Sequence, residues 1–128
     1  MQYLRYYFLF MYKLFLDDIR NPKEINWVKL PDGPWVIVRN YNEFVKCIMD
    51  KGLPEFVAFD HDLSDEHYGV DPNKSEFIEK TGYHCAKWLI DYCIDNNKLF
   101  PNYVVHSMNP IGKMNIMSIV ENFKSTIK

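Results

Sequence analysis

Two carboxylates bracket a histidine at the point where an apolar run of the sequence ends. The stretch FVAFDHDL places Asp60, His61 and Asp62 directly after β-forming residues, and an earlier apolar run ends in Asp17 and Asp18. Grouped carboxylates repel one another unless a cation neutralises them. We therefore predict a divalent metal site with Asp17, Asp18 and Asp60 as ligands. Oxygen ligands favour Mg²⁺ or Mn²⁺, and a histidine ligand would shift the preference towards Mn²⁺, Fe²⁺ or Zn²⁺.

Two histidines at predicted strand ends are candidates for proton transfer. His61 follows one apolar run and His106 follows another. Histidine suits acid and base catalysis near neutral pH, so one ring could protonate a leaving oxygen while a water molecule attacks phosphorus. We predict His61, His106 and the adjacent Asp62 as catalytic residues. The alternative is that each histidine is only a packing residue.

A helix start near the C-terminus has the features of an anion site. Asn109 is a good N-cap and Pro110 suits the first helical position. Free backbone N–H groups at such a start bind phosphate, Gly112 would let a phosphate approach, and Lys113 would add a point charge. Ser107 offers a hydroxyl donor to the same phosphate. The alternative is that Asn109 only caps the helix and Lys113 is solvated.

Two further polar residues are candidate phosphate contacts. Arg20 follows the first acidic pair, where it can either bind a phosphate or hold the acids in place. Thr81 is an N-cap at the start of another helix. The polar segment before it, residues 64–80, is either a lid over the site or an ordinary surface insertion.

Alternating strand and helix patterns predict how these residues come together. The predicted strands are YKLFLDD (12–18), PWVIVRN (34–40), EFVAFDHD (55–62) and NYVVHSMN (102–109). Continuous apolar residues are typical of buried parallel strands, and helical patterns begin at Asn42, Thr81 and Asn109. The prediction is an α/β fold, a small three-layer parallel sheet of about four strands flanked by helices. Because ligands bind beyond the carboxyl ends of parallel strands, three of the strand ends should meet at one site.

Composition limits the class of protein. The 128 residues fit a single domain, residues 1–128, in which residues 1–11 are either an N-terminal extension or an added edge strand or dimer contact. The N-terminal apolar stretch is shorter than a membrane span and lacks a signal-peptide cleavage site. The net charge of −2 argues against an extended nucleic-acid groove. Three cysteines without metal-ligand spacing predict a reduced, cytoplasmic protein.

Four motifs, in order, resemble the cyclic-phosphate processing receiver-domain family: LFLDDIRNP, FDHDL, TGYHCAKWLI and VHSMNPIGKMNI. The resemblance runs from about Lys13 to Ile119. It implies a truncated receiver-like or flavodoxin-like fold in the cytoplasm of a bacterium, or of the host if a phage encodes it. By resemblance to receivers, the acidic pair would hold Mg²⁺, Asp60 would be the phospho-accepting aspartate, and Ser107 would contact the phosphoryl group.

The departures from an ordinary receiver favour a small enzyme. The sequence shows no fifth strand, Lys113 lies on a helix, and His61, Asp62 and His106 are additional. The first hypothesis is a metal-dependent phosphoesterase for a cyclic phosphate, either a 2′,3′-cyclic RNA end or a cyclic nucleotide. The alternatives are a stand-alone signalling module phosphorylated on Asp60 and a noncatalytic nucleotide-binding protein.

Overall fold

The computed structural model describes residues 11–63 and 80–127. Its strands are β1 (Lys13–Leu16), β2 (Trp35–Val38), β3 (Phe56–Phe59) and β4 (Asn102–Val105). Its α-helices are α1 (Tyr41–Lys51), α2 (Gly82–Asp95) and α3 (Pro110–Ser125), and Pro22–Glu24 forms a 3-10 helix. The predictions of an N-terminal extension and of a lid fall almost entirely on residues outside the described ranges.

All four strands pair in parallel in the order β2-β1-β3-β4. Lys13 lies opposite both Trp35 and Phe56, and Phe56 lies opposite Asn102, so the strands start level with one another. The four-strand parallel sheet with three helices confirms the predicted receiver-like α/β fold. Each strand is four residues long, and the polar residues that follow lie at the carboxyl edge.

The core lies on both faces of the sheet, which explains why the strands are apolar throughout. On one face, side chains such as Leu16 and Phe59 pack with buried residues from all three helices. On the other face, a smaller cluster contains Phe15, Ile25 and Ala58. Among the described residues, the second face is thus covered by the irregular chain that follows the 3-10 helix, including Ile25, Val28 and Leu30, and the α-helices lie on the first face.

Two asparagines fix where helices begin near the carboxyl edge. Asn40 accepts a hydrogen bond from the Glu43 N–H at 2.8 Å, and Asn109 accepts one from the Gly112 N–H at 3.0 Å. Both are N-caps that satisfy a backbone donor without an intrahelical partner. At the other end of α1, Gly52 has a φ of 84°, a left-handed conformation that glycine adopts without strain. The capped helix start predicted at Asn109 is confirmed.

The three cysteines lie in the core of the protein. Cys47, Cys85 and Cys93 are all buried, and none forms a disulfide. Burial raises the pKa of the Cys93 thiol to about 11.

Among the described residues, no helix combines the length and the apolar character needed to cross a membrane.

Candidate metal centre and phosphate crevice

Three buried side chains from three strand ends meet at the carboxyl edge. Asp17 follows β1, Asp60 follows β3 and His106 follows β4, and one potential ligand atom of each lies within 4.8 Å of the others. The sheet positions them directly, because the Asp60 N–H donates to Leu16 O and the His106 N–H donates to Phe59 O, both at 2.9 Å. Each residue therefore extends the ladder by one step before its side chain turns into the site.

Asp17 is held as a carboxylate by three donors. His106 Nε2 lies 3.0 Å from Asp17 Oδ2, and the N–H groups of Ile19 and Arg20 donate to Asp17 Oδ1 at 2.9 and 2.7 Å. Burial is the largest single influence and raises the pKa of Asp17. The hydrogen bonds from His106, Arg20 and Ile19 together outweigh it, so the pKa lies below its ordinary value.

The pKa of Asp60 is shifted in the opposite direction from that of Asp17. Burial, followed by the nearby Asp17 charge, raises the pKa of Asp60 to about 6. Its Oδ1 accepts one hydrogen bond, from the His61 N–H at 2.8 Å. Two buried carboxyl groups at this separation favour either a shared proton or a cation between them.

The donor set fits a divalent transition metal. His106 is fully buried, its ring stacks on Phe15 with centroids 4.7 Å apart, and its Nδ1 atom has no hydrogen-bond partner among the described residues. Two carboxylates and one imidazole suit Mn²⁺, Fe²⁺ or Zn²⁺ better than Mg²⁺. The geometry groups His106 with the candidate metal ligands, and its role in proton transfer stays a prediction.

A crevice of about 520 Å³ lies beside this cluster. Its polar lining brings together six of the residues that the sequence singles out: Asp18, Arg20, Asp60, Asp62, Ser107 and Asn109. The Arg20 guanidinium stacks over Trp27 at 5.2 Å and lies 3.8 Å from Asp17 Oδ2. Asp18 lines the crevice but lies outside the three-residue cluster, so its role as a metal ligand stays a prediction.

His61 and Asp62 form a hydrogen-bonded pair. His61 Nδ1 lies 2.7 Å from Asp62 Oδ1, and the Asn109 amide donates to the same oxygen at 3.3 Å. The two members face different spaces, since Asp62 lines the crevice and His61 lines a separate cavity. His61 is thus connected to the crevice through the Asp62 carboxylate.

Comparison with known families adds an independent observation. The cyclic-phosphate processing receiver domain matches residues 12–122, which is most of the chain. The chain belongs to this family. The match includes every residue of the cluster and of the crevice, and it associates the protein with cyclic-phosphate processing. Neither the curated proteins nor the solved structures gave a significant match.

Two residues that the sequence motifs do not mark help to hold the site of this cyclic-phosphate processing receiver domain in place. Arg39, just after β2, donates to Asp17 O, Arg20 O and Asn21 Oδ1 at 3.1, 2.5 and 2.8 Å. Trp27 Nε1 donates to His106 O at 2.7 Å. Arg39 was detectable as the charged residue that ends strand two, whereas nothing in the spacing marked Trp27.

Gly112 packs closely against the end of β3 in this receiver domain. Its N–H donates to Asn109 Oδ1, and a Cβ atom added at this position would overlap the His61 ring. The amide therefore already has an acceptor, and the space that a Cβ atom would occupy is filled by the His61 ring. Glycine is needed here for the close approach of His61, and phosphate binding at Gly112 stays a prediction.

Lys113 and Thr81 lie outside the residues that line the crevice. Lys113 is in the first turn of α3, where its N–H donates to Asn109 O at 2.9 Å. Thr81 is the N-cap of α2, and its N–H donates to His84 Nδ1 at 3.0 Å. The structure thus gives Thr81 a capping contact, and phosphate binding by either residue stays a prediction.

Proposed function

We propose that the protein is a metal-dependent phosphoesterase that opens a small cyclic phosphate, either a 2′,3′-cyclic RNA end or a cyclic nucleotide. The observation that carries this proposal is the buried cluster of Asp17, Asp60 and His106 beside a polar crevice. The raised pKa of Asp60 supports a site that requires a counter-charge. Membership of a family described by cyclic-phosphate processing supports the substrate class.

The residues divide into those that hold a cation and those that contact the phosphate. Asp17, Asp60 and His106 would hold the metal, which when bound supplies positive charge to a phosphoryl oxygen. Arg20 adds a second, fixed cation at the crevice wall. The Ser107 hydroxyl oxygen accepts the Asn109 N–H at 3.1 Å, which leaves the hydroxyl hydrogen to donate to a phosphate oxygen.

Asp62 would move the proton in this reaction. Its carboxylate lines the crevice and is oriented by His61 and by the Asn109 amide. A water molecule loses one proton to Asp62 as its oxygen forms a bond to phosphorus, and the ring P–O ester bond breaks. The departing alkoxide takes the proton back from Asp62, so the products are a phosphomonoester and a free hydroxyl group. His61 is then a positioning residue for Asp62.

The test is ³¹P NMR of 2′,3′-cyclic mononucleotides and cyclic dinucleotides incubated with the protein and Mn²⁺ or Mg²⁺. A phosphomonoester resonance should grow with the wild type and disappear with EDTA or with Asp60→Asn. Asp91→Asn, an exposed acid on α2, is the matched control and should behave like the wild type. Removing one of two repelling carboxylates should leave the Asp60→Asn protein folded, so its inactivity would not reflect unfolding.

Two outcomes would overturn the proposal. One is that every cyclic-phosphate resonance stays unchanged with both metals. The other is stable labelling of Asp60 by acetyl phosphate without hydrolysis of any cyclic phosphate, which is the behaviour of a phospho-accepting receiver. Mass spectrometry of the intact protein and of its Asp60→Asn variant would detect that label.

A further inference from the structure

A second cavity, of about 460 Å³, lies between the start of α2 and the middle of α3. Its volume is in the range of small-molecule sites. The polar side chains that line it are His61, Thr81, His84, Asn115 and Ser118, and Tyr83 and Ile119 add apolar surface. None of these seven described lining residues is a lysine, an arginine or a carboxylate. We call this cavity the side pocket.

Hydrogen bonds fix which imidazole nitrogen of His84 carries the proton. His84 Nδ1 accepts the backbone N–H of Thr81 at 3.0 Å, and a backbone N–H can only donate. The neutral ring must therefore carry its proton on Nε2. Burial, assisted by the charges of Lys80, Lys87 and His61, lowers the pKa of His84 and so favours this neutral form. His84 thus provides a hydrogen-bond donor at Nε2.

His61 provides the opposite group. Its Nδ1 atom donates to the Asp62 carboxylate at 2.7 Å, so Nε2 is the ring nitrogen that can accept a hydrogen bond when the ring carries one proton. The ring is held by this hydrogen bond and by contact with the backbone at Gly112. The side pocket therefore presents one imidazole acceptor and one imidazole donor, together with the amide of Asn115 and the hydroxyl of Ser118.

We propose that the side pocket binds the nucleobase of a nucleotide whose cyclic phosphate lies in the crevice. Nucleobases carry neighbouring donors and acceptors on one edge and a planar face that stacks on aromatic rings such as Tyr83. A lining of uncharged donors and acceptors suits a neutral heterocycle and provides no lysine or arginine to bind an anion. The two spaces are neighbours, since His61 lines the side pocket and the adjacent Asp62 lines the crevice.

The inference names the substrate class as a nucleoside cyclic phosphate, and it rests on the proposed function for the phosphate half alone. Its first test is therefore independent of turnover. Adenosine and cytidine are titrated into ¹⁵N-labelled protein in EDTA, and the imidazole and Asn115 amide resonances are followed by NMR. Both nucleosides should shift the His84 and Asn115 signals, whereas glycerol 1,2-cyclic phosphate, which has no base, should not.

A kinetic test uses a variant that fills the pocket. Ser118→Trp places an indole in the side pocket from an exposed helical position, and Ser125→Trp, exposed on the same helix outside the pocket, is the matched control. With Ser118→Trp, KM for adenosine 2′,3′-cyclic phosphate should rise about tenfold or more, the factor expected when one or two hydrogen bonds are lost. KM for glycerol 1,2-cyclic phosphate should be unchanged, and Ser125→Trp should match the wild type for both compounds.

The outcomes separate this inference from the function on which it depends. Nucleoside-dependent shifts at His84 without hydrolysis of any cyclic phosphate would support the side pocket and remove the phosphoesterase. Hydrolysis with the same KM in Ser118→Trp and Ser125→Trp, and no shift at His84, would overturn the side pocket and leave the phosphoesterase in place. A shift caused equally by the base-free cyclic phosphate would also overturn it.

Discussion

His106 is the residue at which this site departs most from an all-oxygen metal centre. It is fully buried, shares a hydrogen bond with Asp17 and has an unpaired Nδ1 atom among the described residues. An imidazole in the ligand set determines which cations bind, since Mg²⁺ prefers oxygen and Mn²⁺ and Zn²⁺ accept nitrogen. The choice of metal at this candidate site would therefore depend on one side chain.

Replacing His106 with asparagine should change the metal preference. His106→Asn removes the imidazole nitrogen and retains an oxygen of similar reach, so affinity for Mn²⁺ and Zn²⁺ should fall by about tenfold or more while affinity for Mg²⁺ changes less. Isothermal titration calorimetry with each cation measures this. His84→Asn, away from the cluster, is the control, and an equal loss for all three cations in His106→Asn would contradict the assignment.

The raised pKa of Asp60 predicts how the free energy of unfolding depends on pH in the absence of metal. The pKa of Asp60 rises from an ordinary value of 3.8 to about 6 in the folded protein. A raised carboxyl pKa stabilises the fold below about pH 4, and this contribution is lost as the pH rises through 6. In EDTA, the free energy of unfolding should fall by on the order of 2 kcal/mol between pH 4.5 and 7.

Urea denaturation at several pH values, with Asp60→Asn as the reference, isolates that contribution. The contribution of Asp17 to the free energy of unfolding changes with pH in the opposite direction. Its pKa is lowered in the folded protein, so the stability that it contributes is lost as the pH falls from its ordinary pKa through the lowered one. The wild type should therefore lose stability relative to Asp60→Asn as the pH rises from 4.5 to 7. Saturating Mn²⁺ should abolish the difference, and parallel curves for the two proteins in EDTA would contradict the prediction.

Among the elements, α2 and α3 approach the site so closely that glycine is required at the start of each. A Cβ atom at Gly82 would overlap the backbone carbonyl of Asp60, and one at Gly112 would overlap the His61 ring. The Gly82 N–H also donates to His61 O at 2.7 Å. The helix starts and the β3 end therefore form one packed unit.

Gly112→Ala should destabilise the protein, although alanine is ordinarily the better helix former by about 1 kcal/mol. The added methyl group must displace the His61 ring, and overpacking of this kind costs about 1–3 kcal/mol. Urea denaturation measures the loss. In a His61→Ala background the same substitution should be neutral or stabilising, and an undiminished loss in that background would show that the ring is not the obstacle.

The sequence predicts the strands and the helix starts well, because period and capping are local signals. Continuous apolar runs identified all four strands, and Asn109 identified the start of α3. Parallel topology then brought Asp17, Asp60 and His106 to one edge. The meeting of these three residues therefore follows from the parallel arrangement of the strands.

The sequence does not predict the contacts made by segments without regular secondary structure, because no hydrophobic periodicity marks these segments. Trp27 reaches His106 O from a segment without regular structure, and Arg39 ties down a loop through three acceptors distant in sequence. The Gly112 amide makes a further contact that the predicted helix start does not reveal. A helix N–H is free for a ligand only when the cap leaves it unpaired, and here the Asn109 side chain takes it.

At the scale of the whole molecule, the described core lies within the region that matches the family. The buried residues of the main cluster run from Leu14 to Val120, and the family match covers residues 12–122. The fragment Met11–Lys128 should therefore fold with nearly the same melting temperature and Mn²⁺ affinity as the full chain. Calorimetry of both proteins checks this, and a fragment that fails to fold or to bind Mn²⁺ would show that residues 1–10 contribute to the domain.

The three buried cysteines can be used to measure how often the core opens. Cys47, Cys85 and Cys93 belong to the main core cluster and come from two different helices. A thiol reagent can reach them only when the surrounding packing separates, so the rate of modification reports the opening equilibrium of α1 and α2. The rate of thiol modification of the wild-type protein, measured with and without a divalent cation, can thus show whether a cation bound at the carboxyl edge slows the opening of α1 and α2.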